Sequence, residues 1–292
     1  MADGPSPEAL PDSGSDPEDS MLSLHNRVFH RFSIDNSISF VPTDHDEHER
    51  LLLQHAALSI LSYGETIFVP ETSLHRQTIR RVLDCGCGNA IWCSETVKSL
   101  TAIGNTNFEV TGVDVNDVML LNVLDQPENL YFDVFDLNQD FRNSPETFPR
   151  NHFDFVNSRD VAGGINSGRW DSYIREIFGI LRPGGWCQMV ELDLESQSDN
   201  GRLGDGNALR EWSRLYQNAM DKLGKYSKIG RELGPRLRRA GFTDVDNNSG
   251  RPYVFPMCGQ HEHHVKIGQS NEENVQRLLG SLSLYPFMEV LG

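Results

Sequence analysis

The sequence predicts an α/β protein with a doubly wound, mostly parallel sheet and helices on both faces. Three observations predict it. Short apolar runs alternate with helical stretches from residue 81 onward, and strands joined by helix-length connections pair in parallel and bury both faces. A glycine-bearing turn, Asp84-Cys85-Gly86-Cys87-Gly88, stands between the first such strand and the first such helix. Three successive strand candidates end on an acid: Asp84, Asp114 and Asp136.

Residues 1–20 are rich in Pro, Ser, Asp and Glu and contain no Lys or Arg. They bury too little apolar surface to offset the entropy of ordering, so they are expected to form a disordered acidic tail. Residues 21–80 are expected to form a helical segment that packs over the binding site. Its helix spans 43–63: Thr43 or Asp44 caps it, acids fill its first turn, and Leu51, Leu52, His55, Leu58 and Leu61 recur near helical spacing.

Residues 81–292 read as the α/β domain, with a helical insertion toward its C-terminal end. Strands are expected at 81–84, 108–114, 130–136, 153–158 and 186–194, and helices at 91–103, 169–181, 209–223 and 230–240. Arg182-Pro183-Gly184-Gly185 stops the second of these helices, and Gly241 stops the last. Segments 242–245 and 252–255 are short strand candidates, and no internal repeat is present.

The 42 acids outnumber the 26 Lys and Arg, for a net charge of −16. Such a surface repels phosphate backbones and anionic lipid, which argues against direct nucleic-acid binding. The basic stretch 231–239 reads as the solvated face of a helix. No apolar run is long enough for a membrane span, and the first residues lack the basic start and apolar stretch of a secretory signal. An intracellular, cytoplasmic location is expected, with the nucleus as the alternative. The five cysteines, an odd number, read as reduced thiols.

Two ligand classes compete for the glycine turn. Gly86 and Gly88 let the backbone turn tightly and approach a ligand, with several N–H groups facing it. A dinucleotide turn needs a third glycine where this chain has Ile91, and Asp84 would lie badly beside a pyrophosphate. A nicotinamide oxidoreductase is therefore disfavoured. An aminoacyl sulfonium ligand carries an ammonium group and a positive sulfur, and an acid at the strand end suits it. Ala90 stands where such turns commonly carry a third glycine. Asp114 ends the second strand roughly 25 to 30 residues beyond Asp84, the spacing of a ribose-binding acid. Asp136 and the Leu137 N–H end the third strand, where an adenine edge can be read.

These residues resemble the class I methyltransferases, and more closely the fungal LaeA-like methyltransferases of secondary metabolism. The resemblance is carried by 41–44 with 49–51 and Gln54-His55; by 82–92 with Ile91-Trp92; by 110–114; by 129–136; by Phe153-Asp154-Phe155-Val156-Asn157-Ser158-Arg159; by 181–186; and by 240–245. It implies a Rossmann-like sheet and S-adenosyl-L-methionine as cofactor. It also implies a site made by Asp84, Gly86, Gly88, Asp114, Val115, Asp136, Leu137 and Asn157, with Asn157 and Arg159 beside the transferable methyl. The family more often has His at the position of Asn157, so no catalytic base is assigned. It also runs on past the equivalent of Gly292, so this sheet is expected to lack the last strand. The implied acceptor is a small molecule of secondary metabolism. The alternative is a regulator or pseudoenzyme acting through protein partners.

Other clusters carry less. Cys85, Cys87 and Cys93 are not at a usual zinc spacing and read as small side chains packed in a turn. His261, His263 and His264 read as a solvated polar loop rather than a metal site, and His45 and His48 as solvated likewise. Core packing is favoured for Trp170 and Tyr173 over stacking on an aromatic acceptor. Tyr63 and Trp92 stand open between core packing and covering the cofactor.

Overall fold

The computed structural model describes residues 20–68, 74–116, 126–198, 201, 203–204, 206–246, 255–257 and 261–292. The expected tail up to residue 19, and the strand candidate at 252–255 apart from Phe255, lie outside them. Five strands form one parallel sheet: β3 (Arg81–Cys85), β4 (Glu109–Asp114), β5 (Leu130–Val134), β6 (Phe153–Arg159) and β7 (Leu181–Val190). Their spatial order is β5-β4-β3-β6-β7. Chain order thus reverses at β3, the place where doubly wound sheets bind ligands beyond their carboxyl ends.

Side chains alternate across the sheet into two cores. Leu83, Val113 and Val156 face one core, with Trp170, Tyr173, Ile174 and Ile177 of helix α4 (Trp170–Ile180). Val82, Val110 and Phe155 face the other, with Trp92, Val97 and Leu100 of helix α3 (Ile91–Ala102). Each fully buried side chain of this kind contributes about 1.5–3 kcal/mol. Gly112 is required in β4, because a Cβ there would lie 2.9 Å from both Cys87 Sγ and the Phe132 ring.

Several expectations need correction. Segment 21–80 is not helical throughout. It opens with an antiparallel hairpin, β1 (Met21–Leu24) and β2 (Arg27–His30). His25 and Asn26 both have positive φ, 51° and 60°, the backbone of a tight two-residue hairpin turn. Without a glycine, that turn carries little sequence signal. Helix α1 (Arg31–Asp35) follows, then α2 (His45–Leu61). Asp44, not Thr43, caps α2: its carboxylate accepts from Glu47 N at 3.1 Å and grips Arg27 of the hairpin through two bonds of 2.6 Å.

Strand β7 starts at Leu181, five residues before the expected 186, and ends at Val190 rather than 194. Arg182-Pro183-Gly184-Gly185 is not a loop between helix and strand. It bulges within β7, since Phe153 pairs with Leu181 but Phe155 with Trp186. A proline is tolerated there because β7 is an edge strand.

After β7 come α5 (Ala208–Lys222) and α6 (Leu233–Ala240), the latter entered by a 3₁₀ turn at Ile229–Glu232 and closed by Gly241 at φ 111°. Segment 242–245 forms no strand. The histidines at 261–264 are not a loop: they open α7 (Glu262–Tyr285), which runs into a π-helical turn at Pro286–Leu291. Helix α7 lies on α2 through a polar seam. Arg50 pairs with Glu47 at 2.8 Å and donates to Gln54 and Asn274, while Ser281 donates to Glu47. The buried face of α7 includes Asn271, Asn274 and Ser281 beside Ile267 and Leu278. An apolar-periodicity reading therefore passes over it. Among the described residues, no helix is long and apolar enough to cross a membrane.

Candidate functional site

A cavity of about 280 Å³ lies over the carboxyl ends of the strands. Asp84, Gly86, Gly88, Asp114, Val115, Asp136 and Leu137 all line it. Residues 38–43 and side chains of α2, α5 and α7 close it from above.

The glycine turn is tied to its own sheet. Gly86 N and Cys87 N donate to Val113 O at 2.8 and 3.1 Å, and Ala90 N donates to Cys87 O at 2.9 Å. Gly88 N donates to Asp114 Oδ2 at 2.8 Å. These N–H groups therefore do not face a ligand, contrary to the expectation from sequence. The glycines serve by shape. Gly86, at φ 75°, lies so close to Val161 that a Cβ would sit 2.4 Å from its Cγ1. Gly88, at φ 53°, faces open space, so a Cβ would occupy room left for a ligand. Ala90 holds a left-handed φ of 59°, a conformation that favours glycine.

Asp84 is buried at the end of β3. It accepts from Asn157 Nδ2 at 2.8 Å and from the Cys93 thiol at 3.2 Å. Burial pushes its carboxyl pKa up, against the pull of the Asn157 hydrogen bond. Asn157 does not line the cavity: it is fully buried and passes the connection on to Gln188 on β7, whose amide donates to Asn157 Oδ1 at 3.1 Å. Its place is behind Asp84, which it orients. Arg159 does line the cavity, 3.2 Å from His55 Nδ1. Burial, and next the Arg159 charge, push His55 down to about 4.

Asp114 accepts from the N–H groups of Gly88 and Asn116, with one oxygen each, at 2.8 and 2.9 Å. Asp136 receives both N–H donors of Asn138, from backbone and side chain, at 2.9 Å. Both Asn138 donors fall on Asp136 Oδ1, so Oδ2 of Asp136 and both oxygens of Asp114 keep lone pairs for a ligand hydroxyl or amine. Asn89 Nδ2 and Asn116 Oδ1, both in residues lining the cavity, are buried without a hydrogen-bond partner among the described residues. Buried polar atoms are nearly always paired, so two orphans beside Asp114 mark a place where a polar ligand completes the set. The lining holds six carboxylic acids against two arginines and no lysine. Strand-end acids, an open cradle at Gly88 and an orphan donor and acceptor fit the ammonium, ribose and sulfonium of S-adenosylmethionine.

Sequence reasoning missed Asn89 and Asn116, along with a second set on the far side of the cavity. Asp160 follows β6 and Glu191 follows β7. Gln54 donates to Asp160, and Glu191 accepts from Val161 N and Ala162 N at 3.1 and 3.0 Å. Burial raises the pKa of both acids. The rule that found Asp114 could have found them, but ending β7 at residue 194 hid Glu191 inside the strand. Trp170 and Tyr173 are core residues, fully buried, and Tyr173 OH lies 2.9 Å from Ser158 Oγ. Tyr63 is 82% exposed and stacks on His263, while Trp92 is buried against Phe155. Neither lines the cavity. Cys85, Cys87 and Cys93 are buried free thiols. No group of three metal-ligating side chains occurs among the described residues.

Residues 46–247 match a family model described as a methyltransferase domain. The "Protein-methionine methyltransferase laeA" of Emericella nidulans is 29% identical over 269 residues, which are 91% of this chain and 66% of that protein. The "Secondary metabolism regulator LAE1" of Cochliobolus heterostrophus is 29% identical over 272 residues, 91% of this chain and 81% of that protein. The chain thus spans just under two thirds of the Emericella relative's length. Among solved structures, an O-methyltransferase family protein from Burkholderia thailandensis is 14% identical with a TM-score of 0.46, covering 68% of this chain and 53% of that one.

Proposed function

The chain belongs to the methyltransferase-domain family, and from that premise we propose that it transfers the methyl group of S-adenosylmethionine to a small-molecule acceptor of secondary metabolism. The observation that carries the proposal is the cavity itself. Asp84, Asp114 and Asp136, from three successive strand ends, meet in it beside the orphan polar atoms of Asn89 and Asn116.

When bound, the cofactor supplies the electrophilic methyl carbon, and the protein supplies position. Asp84 faces the ammonium group, held in place by Asn157 and Cys93. Asp114 takes the ribose hydroxyls, with Asn89 and Asn116 on either side of it. Asp136 and Leu137, with Val115, enclose the adenine. The segment 38–43, α2 and α7 keep water from the reacting atoms. The free thiols and the acidic surface suit a protein of the cell interior.

A second reading is favoured by the relatives, several of which are named as secondary metabolism regulators. In it, the same cofactor site serves a regulatory protein that acts through partners. Incubating the intact protein with S-adenosylmethionine and fungal metabolite extracts separates the two. Methylated products found by mass spectrometry support transfer to a small molecule. Tight cofactor binding without turnover, together with co-purifying proteins, supports the regulator.

A further inference from the structure

The cavity has two ends, and only one is needed for the cofactor. The other lies over β6 and β7. There Asp160 N donates to Val190 O at 2.9 Å, which sets Asp160 against the end of β7, one residue before Glu191. Glu191 in turn bonds the N–H groups of Val161 and Ala162, the two residues after Asp160. The two carboxyl groups are thus woven into one turn. Tyr216 of α5 lines the same cavity and is only 6% exposed. Its hydroxyl has no hydrogen-bond partner among the described residues, although Asp160 and Glu191 act on it electrostatically. A largely buried tyrosine that lines the cavity, its hydroxyl without a described partner and two acids acting on it, points to a ligand that completes the set. The walls around this end are apolar, with Met220, Leu192, Leu278 and Leu282.

We propose that Asp160, Glu191 and Tyr216 form the acceptor subsite, and that the group methylated there is the amine nitrogen of an otherwise apolar molecule. The inference rests on the methyltransferase reading above and specifies its acceptor.

Charge decides between acceptor types. Methylating a hydroxyl requires negative charge to develop on oxygen, which two neighbouring carboxyl groups oppose. Methylating an amine leaves a cation, which they stabilise. Burial has already pushed both acids up, and at Glu191 the Asp160 charge adds to the burial, so an incoming cation relieves them. Arg159 and Arg50 act on Asp160 in the opposite sense, but Arg50 is committed to Glu47 and Gln54. A thioether would also become a cation, yet it brings no N–H to satisfy Asp160 or the Tyr216 oxygen. In the step itself, the ammonium form enters and gives one proton to the Asp160 carboxylate. The freed nitrogen lone pair forms the N–C bond as the methyl C–S bond breaks. That bond's electron pair stays on sulfur as the neutral thioether, and the methylammonium product leaves.

The test titrates the full-length protein, loaded with S-adenosylhomocysteine, with 3-methylbutylamine, 3-methylbutan-1-ol and isopentyl methyl sulfide. The amine is expected to bind at least about tenfold more tightly than either analogue, the usual scale of one hydrogen bond to a charged group. Asp160→Asn and Tyr216→Phe are each expected to weaken the amine about tenfold, leaving S-adenosylhomocysteine affinity unchanged. With S-adenosylmethionine, N-methylated amine is expected by mass spectrometry. Equal binding of alcohol or sulfide, or variants that hold the amine as well as the unsubstituted protein does, overturns the inference while leaving the cofactor reading intact. Failure of the unsubstituted protein to bind S-adenosylhomocysteine overturns both.

Discussion

The two ends of the cavity are built in different ways. The cofactor end, over β3, β4 and β5, consists of short local motifs: an acid at a strand end, then the turn that follows it. Asp114 bonds Asn116 and Asp136 bonds Asn138, each two residues on, and the glycine turn after β3 adds Gly88 N to Asp114. The acceptor end, over β6 and β7, is assembled from segments far apart in the chain. Gln54 reaches Asp160, and Arg50 reaches Asn274. Tyr216 comes from α5 and Leu278 from α7. A site made of local turns is specified by spacing. A site made of packed helices is specified by which faces meet, and here those faces are polar.

The difference can be broken from the acceptor side. Arg50→Ala removes one partner of a buried ion pair and strands Glu47. It is expected to cost about 3–5 kcal/mol in urea unfolding, with S-adenosylhomocysteine affinity of the folded protein nearly unchanged. A large loss of cofactor affinity in the folded variant would show that the two ends are not separate. Asn157 is where they join, since it bonds Asp84 on one side and Gln188 of β7 on the other. Asn157→Ala takes one hydrogen bond from each, leaving Asp84 with the Cys93 thiol and the Gln188 amide with Thr66 O. It should cost about 2–3 kcal/mol of stability and weaken cofactor binding as well, a coupling that Arg50→Ala lacks.

A smaller effect comes from pH. His55 on α2 is held down to about 4, first by burial and then by Arg159. The unfolded chain binds this proton below pH 6.5 and the folded one does not. The stability contribution is therefore fully present above pH 6.5, lost as pH falls toward 4, and constant below that. After solvent screening the loss is on the order of 2 kcal/mol. His55→Gln should flatten that part of the profile in thermal melts between pH 4 and 7.

How far the sequence could be read follows from the same contrast. The parallel sheet, its helices and the acids at 84, 114 and 136 were legible, because apolar strands and strand-end carboxylates recur at fixed spacing. The β1–β2 hairpin was hidden by a turn of His25 and Asn26 with no glycine. Helix α7 was hidden because Asn271, Asn274 and Ser281 occupy buried positions where apolar residues are looked for. Their hydrogen bonds to α2 and to one another replace apolar contact, and pairing between residues more than 200 positions apart leaves no local pattern. Glu191 was missed because β7 ends at Val190, opposite the end of β6 at Arg159, and not at 194. Asn157 was placed among cofactor-binding residues by resemblance, and the structure puts it one layer behind them.

The central claim is that the acids at the ends of β3, β4 and β5 hold a sulfonium cofactor. Isothermal titration of the protein and its Asp114→Ala variant with S-adenosylmethionine tests it most directly. Asp114 takes two backbone N–H groups and keeps free lone pairs on its two oxygens for the ribose. One-site binding that Asp114→Ala weakens by about 100-fold or more, the scale of two lost hydrogen bonds to a charged group, is the predicted result. No binding by the intact protein, or equal binding by the variant, would contradict it.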